Sequence, residues 1–188
     1  WPLFLRCLDA LADGHDLGIV HKDLKPSNLF LTHAGTAKED VRVFDFGIAR
    51  MAGEDASLTG TGQVFGTAQY MAPEYIKSKH KVSPALDVYQ MGLILVEALS
   101  GRPVVAGDDG LACAYRHSTG DLDVSAALLE GPLGPVIVRA LAVEPVHRFA
   151  DTRQLRAAME QVNPYDIPPR FKSDNVSLQD EKGSGTGR

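Results

Sequence analysis

No block of lysine or arginine offsets the acidic residues of this chain. Its 19 Lys and Arg stand against 24 Asp and Glu, a formal net charge of -5, which argues against a general nucleic-acid binder. No apolar run approaches the ~18–20 residues that a membrane-spanning helix requires, and no secretory leader is visible. Cysteine is scarce. Cys7 and Cys113 are the only two, both in apolar helical surroundings, which favours reduced core thiols of an intracellular protein over a disulfide. Internal repeats are absent as well. What is present, 188 residues at 44% hydrophobic and 23% charged, is the composition of a globular domain with a single core, or of a large piece of a bigger one.

Against that ordinary background one stretch concentrates chemistry. His21-Lys22-Asp23-Leu24-Lys25-Pro26-Ser27-Asn28 offers a carboxylate, an amine and a carboxamide within eight residues, with Pro26 stiffening the loop between them. Residues 1 to about 17 precede it with Phe4, Leu8, Leu11 and His15 at helical spacing and Leu3, Leu5 and Cys7 widening the apolar face, the pattern of a largely buried helix. His15 on that face reads as a satisfied core or boundary histidine rather than a ligand. Two short β runs follow, Leu29–Leu31 and Val41–Phe44, and the polar, Gly35-bearing stretch Thr32–Asp40 between them reads as a hairpin connection. The second run leads into Asp45-Phe46-Gly47, a carboxylate at a strand's end beside a flexible glycine.

The eight-residue stretch resembles the catalytic loop of eukaryotic-type (Hanks-type) protein kinases, H-R-D-L-x-x-x-N, with Lys22 where Arg is usual. Asp45-Phe46-Gly47 resembles the D-F-G motif of the same family, and Gly66-Thr67-Ala68-Gln69-Tyr70-Met71-Ala72-Pro73-Glu74 resembles the segment that ends in A-P-E. The resemblance implies a role for each residue. Asp23 takes the proton of the substrate hydroxyl, Lys25 sets a positive charge against the transferring phosphoryl group, and Asn28 and Asp45 hold Mg²⁺ on the phosphates of ATP. Phe30 sits under the adenine ring, with plain core as the alternative reading. Thr67 bonds the catalytic Asp and Lys. Lys25 followed by Pro26, together with Thr67, matches the serine/threonine branch, so protein substrates modified on Ser or Thr are expected.

Further expectations come from the same resemblance. Met51–Gly66, rich in Gly, Ser and Thr, corresponds to the activation loop. Ser57, Thr59 and Thr61 are its candidate phosphorylation sites, or merely incidental hydroxyls. Lys22 gives only a point charge where Arg would clamp a loop phosphate through a fork, so ordering by phosphate is expected to be weaker. His21 and Glu74 take structural places, Glu74 paired with Arg148 of Glu144-Pro145-Val146-His147-Arg148-Phe149. Asp87 holds the backbone of the catalytic loop, although a carboxylate near a helix start also has a plain helix-dipole rationale.

Ser83 and Pro84 read as an N-cap and first helical position, and the helix through Asp87–Leu99 is apolar on nearly every side, with Gly101 as its stop. Pro103–Ser118 reads as a loop and short helix, and Val136–Leu141 and Thr152–Met159 as two more helices joined by a Pro145–Arg148 corner. The expected fold is therefore mainly α, a protein-kinase-like C-terminal lobe of bundled helices with short β-hairpins over residues 1–162. Residues 163–188, with Pro164, Pro168, Pro169 and a Gly/Ser-rich end, read as a disordered tail or linker.

No Gly-rich loop and no V-A-I-K-like strand lysine precede the catalytic loop, so the N-terminal β lobe that closes over ATP is expected to be missing here, and the helix beginning at Trp1 to have lost its start. The reading is a serine/threonine kinase fragment, inert as given and completed by its own N-terminal lobe. A kinase dimer is a possible assembly. The location expected is cytoplasmic, or the cytoplasmic part of a membrane-anchored kinase. Two alternatives remain open: a pseudokinase scaffold that binds without transferring phosphate, and a truncated partner-binding module.

Overall fold

The computed structural model describes residues 1–46, 68–77, 82–107, 109–167 and 175–177. Its centre is one helix. α3 (Ala85–Ser100) buries every residue from Ala85 to Val96, as an apolar surface on all sides requires. Each Leu, Ile, Val or Met that it removes from water contributes roughly 1.5–3 kcal/mol. It ends at Gly101, whose φ of 76° and N–H to Glu97 O at 2.7 Å give a left-handed cap that a side chain would strain. The start differs from the sequence expectation. Pro84 holds the capping position and Ser83 supplies only its carbonyl, to Leu86 N at 2.9 Å, so no side chain caps this helix. Proline has already removed one of the donors a cap would serve.

The other helices gather on this centre. α1 (Pro2–Asp16) presents Cys7, Leu8, Leu11 and Ala12 inward, while Leu3, Phe4 and Leu5 are half-buried. α2 (Pro73–Lys77) and α4 (Gly110–Thr119) pack together, and Asp109 caps α4 by accepting from Leu111 N. α5 (Ala126–Leu129) leads into α6 (Gly134–Ala140), and α7 (Thr152–Glu160) lies along α1. Asp151 caps α7 through Gln154 N, and the ion pairs Arg153–Asp16 and Arg156–Asp9 join it to α1 at 2.7 Å each. α6 approaches α3 at Gly92, where a Cβ would lie 2.9 Å from Leu141 Cδ2 and 3.1 Å from Ala140 Cβ. Among the described residues no helix is long and apolar enough to cross a membrane.

Two small antiparallel sheets complete the fold. β1 (Leu29–Thr32) pairs with β2 (Asp40–Val43) in the register Leu29↔Val43 to Thr32↔Asp40. The connection turns through left-handed backbone at His33 and Gly35. The second sheet departs from the sequence reading. Residues from 163 onward were expected to form a tail without partners, yet β4 (Asn175–Ser177) pairs with β3 (Asp123–Ser125). Before it, Asn163 caps a 3₁₀ turn at Pro164–Asp166, and Ile167 packs against the core. A polar, proline-bearing composition signals little apolar burial. Strand pairing uses backbone groups that every non-proline residue carries, and an open edge such as β3 invites it.

Candidate active site

The loop His21–Asn28 takes its shape from two side chains of α3. Asp87, fully buried in the first turn, accepts from His21 N at 2.8 Å and Lys22 N at 2.9 Å, and from His15 Nε2 at 2.9 Å. Three residues on, along the same helix face, Gln90 accepts from Leu24 N at 3.0 Å and donates to Lys22 O at 3.3 Å and Tyr70 O at 2.9 Å. Lys22 is held at φ 69°, a left-handed conformation that is uncommon outside glycine. Strain of this kind persists where neighbours over-determine it, and here both the N–H and the carbonyl of Lys22 are tied down. The peptide units on either side of Asp23 are thus anchored in a rigid buried helix.

His21 has a single workable protonation pattern. Its Nε2 meets Phe44 O at 2.9 Å, and a carbonyl can only accept, so Nε2 carries the proton. Nδ1 then accepts from Asp23 N at 3.3 Å. The fully buried imidazole also packs on Phe46, ring centroids 4.8 Å apart, so the aromatic side chain after Asp45 is seated beside the loop.

Around Asp23 the polar groups converge. Lys25 Nζ lies 3.1 Å from Asp23 Oδ2, both side chains partly accessible. Asn28, nearly fully buried, donates its Nδ2 to Asp23 O at 2.8 Å. This commits the amide nitrogen to the loop, so the carboxamide oxygen is the end that could meet a cation. Asn28 O accepts from Phe44 N at 2.9 Å, which brings the start of β1 and the end of β2 together and places Asp45 one residue from that bond. Asp45 is exposed and holds a left-handed φ of 54°. An exposed carboxylate and a carboxamide oxygen fit Mg²⁺, which takes one or two carboxylates and completes its shell with water and phosphate oxygens. Among the described residues no three His, Cys, Asp or Glu side chains cluster as a metal cage. Phe30, on β1, meets Phe44 edge-on at 5.0 Å. It is 53% exposed.

Glu74 and Arg148 form a two-pronged pair, Nη1–Oε1 at 2.8 Å and Nη2–Oε2 at 2.7 Å. The remaining guanidinium donors reach Ala142 O, Val143 O and Ala85 O, and the cation lies 4.6 Å over the Tyr89 ring. Thr67, Gly47 and the candidate sites Ser57, Thr59 and Thr61 lie outside the described residues. A shallow groove of about 580 Å³ runs between α1 and β2, lined by residues that include Arg6, Asp13 and Phe46 and by none of Asp23, Lys25 or Asn28.

A family model for the protein kinase domain matches residues 3–128. The chain belongs to the protein kinase family. It is 37% identical over 170 residues to the serine/threonine-protein kinase PknB of Mycobacterium leprae, covering 88% of this chain and 26% of that protein. It is 38% identical over 162 residues to the serine/threonine-protein kinases drp72 of Corynebacterium efficiens, covering 86% and 30%. PknL of Mycobacterium tuberculosis is 33% identical over 168 residues, covering 88% and 41%. The chain thus spans under half the length of each of these Hanks-type relatives. Protein kinases as a family use ATP and Mg²⁺ and act on protein substrates.

Within that kinase framework, several polar contacts were not foreseen from sequence. Gln90 is one. Tyr70 Oη donates to Glu97 Oε2 at 2.5 Å, and burial followed by that carboxylate pushes the phenol well above its ordinary range. His117, fully buried on α4, donates from Nε2 to Gln69 O at 3.1 Å and accepts from Tyr89 Oη at 2.8 Å. Neither Gln nor His inside an apolar helical run announces a distant partner. Only their polarity within such a run is visible in the sequence.

Proposed function

We propose that the chain is the C-terminal lobe of a serine/threonine protein kinase, carrying the proton acceptor and the metal ligands while the grip on the ATP phosphates lies elsewhere in a longer protein. The observation that carries this reading is the arrangement at Asp23. Its backbone is fixed through Asp87, His21 and Gln90, while its carboxylate stays accessible beside the Lys25 ammonium. A carboxylate so held can accept a proton from a substrate hydroxyl and aim the oxygen, and Lys25 beside it balances charge on the group in transfer. Asn28 Oδ1 and the Asp45 carboxylate would hold Mg²⁺, which supplies charge neutralisation on the phosphates. Phe30, exposed on β1, would face the adenine. Thr67 would complete the contact between Asp23, Lys25 and the substrate segment, and Ser57, Thr59 and Thr61 would be the regulatory acceptors. Protein substrates and a cytoplasmic setting belong to the same reading.

The test uses the full-length protein that carries this chain. Phosphate incorporation from labelled ATP into a degenerate Ser/Thr peptide is expected to require Mg²⁺. In Asp23→Asn it is expected to fall by 10²-fold or more, on the order of the loss of an acid–base group, with an unchanged melting curve. Full incorporation by Asp23→Asn would overturn the assignment.

A further inference from the structure

We propose that Gln90 is a positioning residue that sets the spacing between Asp23 and the Ala68–Glu74 segment, and with it the affinity for the peptide substrate. This rests on the kinase reading above. Gln90 is 2% exposed, and its carboxamide spends every contact outside its own helix. Leu24 N–H can only donate and Tyr70 C=O can only accept, so the two partners fix which end of the amide is oxygen. One plane therefore carries a bond to the residue after Asp23 and a bond to the middle of the following segment. A second donated bond, to Lys22 O, reaches the residue before Asp23. The side chain spans a separation that serine or alanine could not bridge, and an apolar residue would strand Leu24 N–H, whose residue is fully buried, and Tyr70 C=O. Asp87 ties the loop to α1 through His15, whereas Gln90 ties it to the Ala68–Glu74 segment.

Movement of that second segment displaces the surface that seats the peptide relative to Asp23, and a misplacement near 1 Å costs on the order of 10²-fold in kcat/KM. Gln90→Met keeps length and volume and removes all three bonds. Gln90→Glu keeps the acceptor for Leu24 N–H and replaces the donors with an oxygen facing Tyr70 O. Both variants are made in the full-length protein and compared with wild type below either melting transition. The expected result for Gln90→Met is a 10- to 100-fold lower kcat/KM for a Ser/Thr peptide, carried mainly by a raised peptide KM, with KM for ATP unchanged. Hydrogen exchange is expected to quicken in peptides covering 20–28 and 68–74 together. In Gln90→Glu the quickening is expected mainly in 68–74, which also decides the matter should Gln90→Met not fold.

A wild-type protein that transfers phosphate, beside variants with unchanged peptide KM and unchanged exchange, overturns the positioning role alone. Equal loss across the ATP and peptide parameters, following the folded fraction, overturns it too, because a merely structural residue behaves so. A wild-type protein that transfers no phosphate, while exchange responds in both segments, overturns the kinase reading and leaves the coupling standing.

Discussion

His117 shows how far burial can move a single side chain. Loss of water lowers its pKa from 6.5 to about 4, against the opposing help of the backbone carbonyls of Gln69 and Ala68. The imidazole is therefore neutral in the folded protein at pH 7, as its bond from Tyr89 Oη requires. The unfolded chain takes up this proton near pH 6.5 and the folded chain only near 4, so between those values the unfolded state binds more protons and stability falls as acid is added. Above pH 6.5 the contribution is fully present. The loss across the window is on the order of 3 kcal/mol at 1.36 kcal/mol per pH unit. Urea unfolding measured from pH 7 to 4 is expected to show it, and His117→Gln to flatten the slope. An equal slope in wild type and variant would show that other groups carry the acid sensitivity. Cys7 is displaced by the same cause in the other direction, its thiol pushed up to about 11 by burial and then by the Asp40 charge, which keeps it an inert core residue.

At the scale of elements, Arg148 joins three pieces of chain: α2 through Glu74, α3 through Ala85 O, and the turn after α6 through Ala142 O and Val143 O. Lysine keeps the charge and loses the fork. Arg148→Met, which strands Glu74, is expected to lower stability by about 3–5 kcal/mol, as removing one partner of a buried pair does, and Arg148→Lys by less, read as a fall in the denaturant midpoint. A shift within error would mean that water reaches the pair freely. The meeting of Glu74 with Arg148 was legible in sequence because both sit in recognisable strings. So was α3, since an apolar run bounded by Pro84 and Gly101 admits few other readings. Asp23, Lys25, Asn28 and Asp45 could be nominated for the same reason, their order along the chain being unusual. The β3–β4 pairing could not, because its bonds are made by backbone. Gln90 could not, because all three of its partners are peptide groups, and the type of residue they belong to carries no trace of the contact.

For the molecule as a whole, the β1–β2 hairpin is the conspicuous surface. Phe30 and Leu31 are neighbours in one strand and so point to opposite faces, yet they are 53% and 55% exposed. Phe44 adds a third half-covered side chain against Phe30. Phe30 and Phe44 together make a contiguous apolar patch, and such surface drives association when nothing covers it. Sedimentation of the isolated 188-residue chain is expected to show concentration-dependent self-association that Phe30→Ser weakens. A strictly monomeric chain at every concentration would count against an uncovered face.

The anchoring of the Asp23 loop in α3 also orders events during synthesis. His21 and Leu24 find their hydrogen-bond partners 66 residues further on, at Asp87 and Gln90. Chains leave the ribosome from the N-terminus at ~5–20 residues per second. For several seconds, then, the nascent polypeptide carries the Asp23 loop without the helix that fixes its backbone.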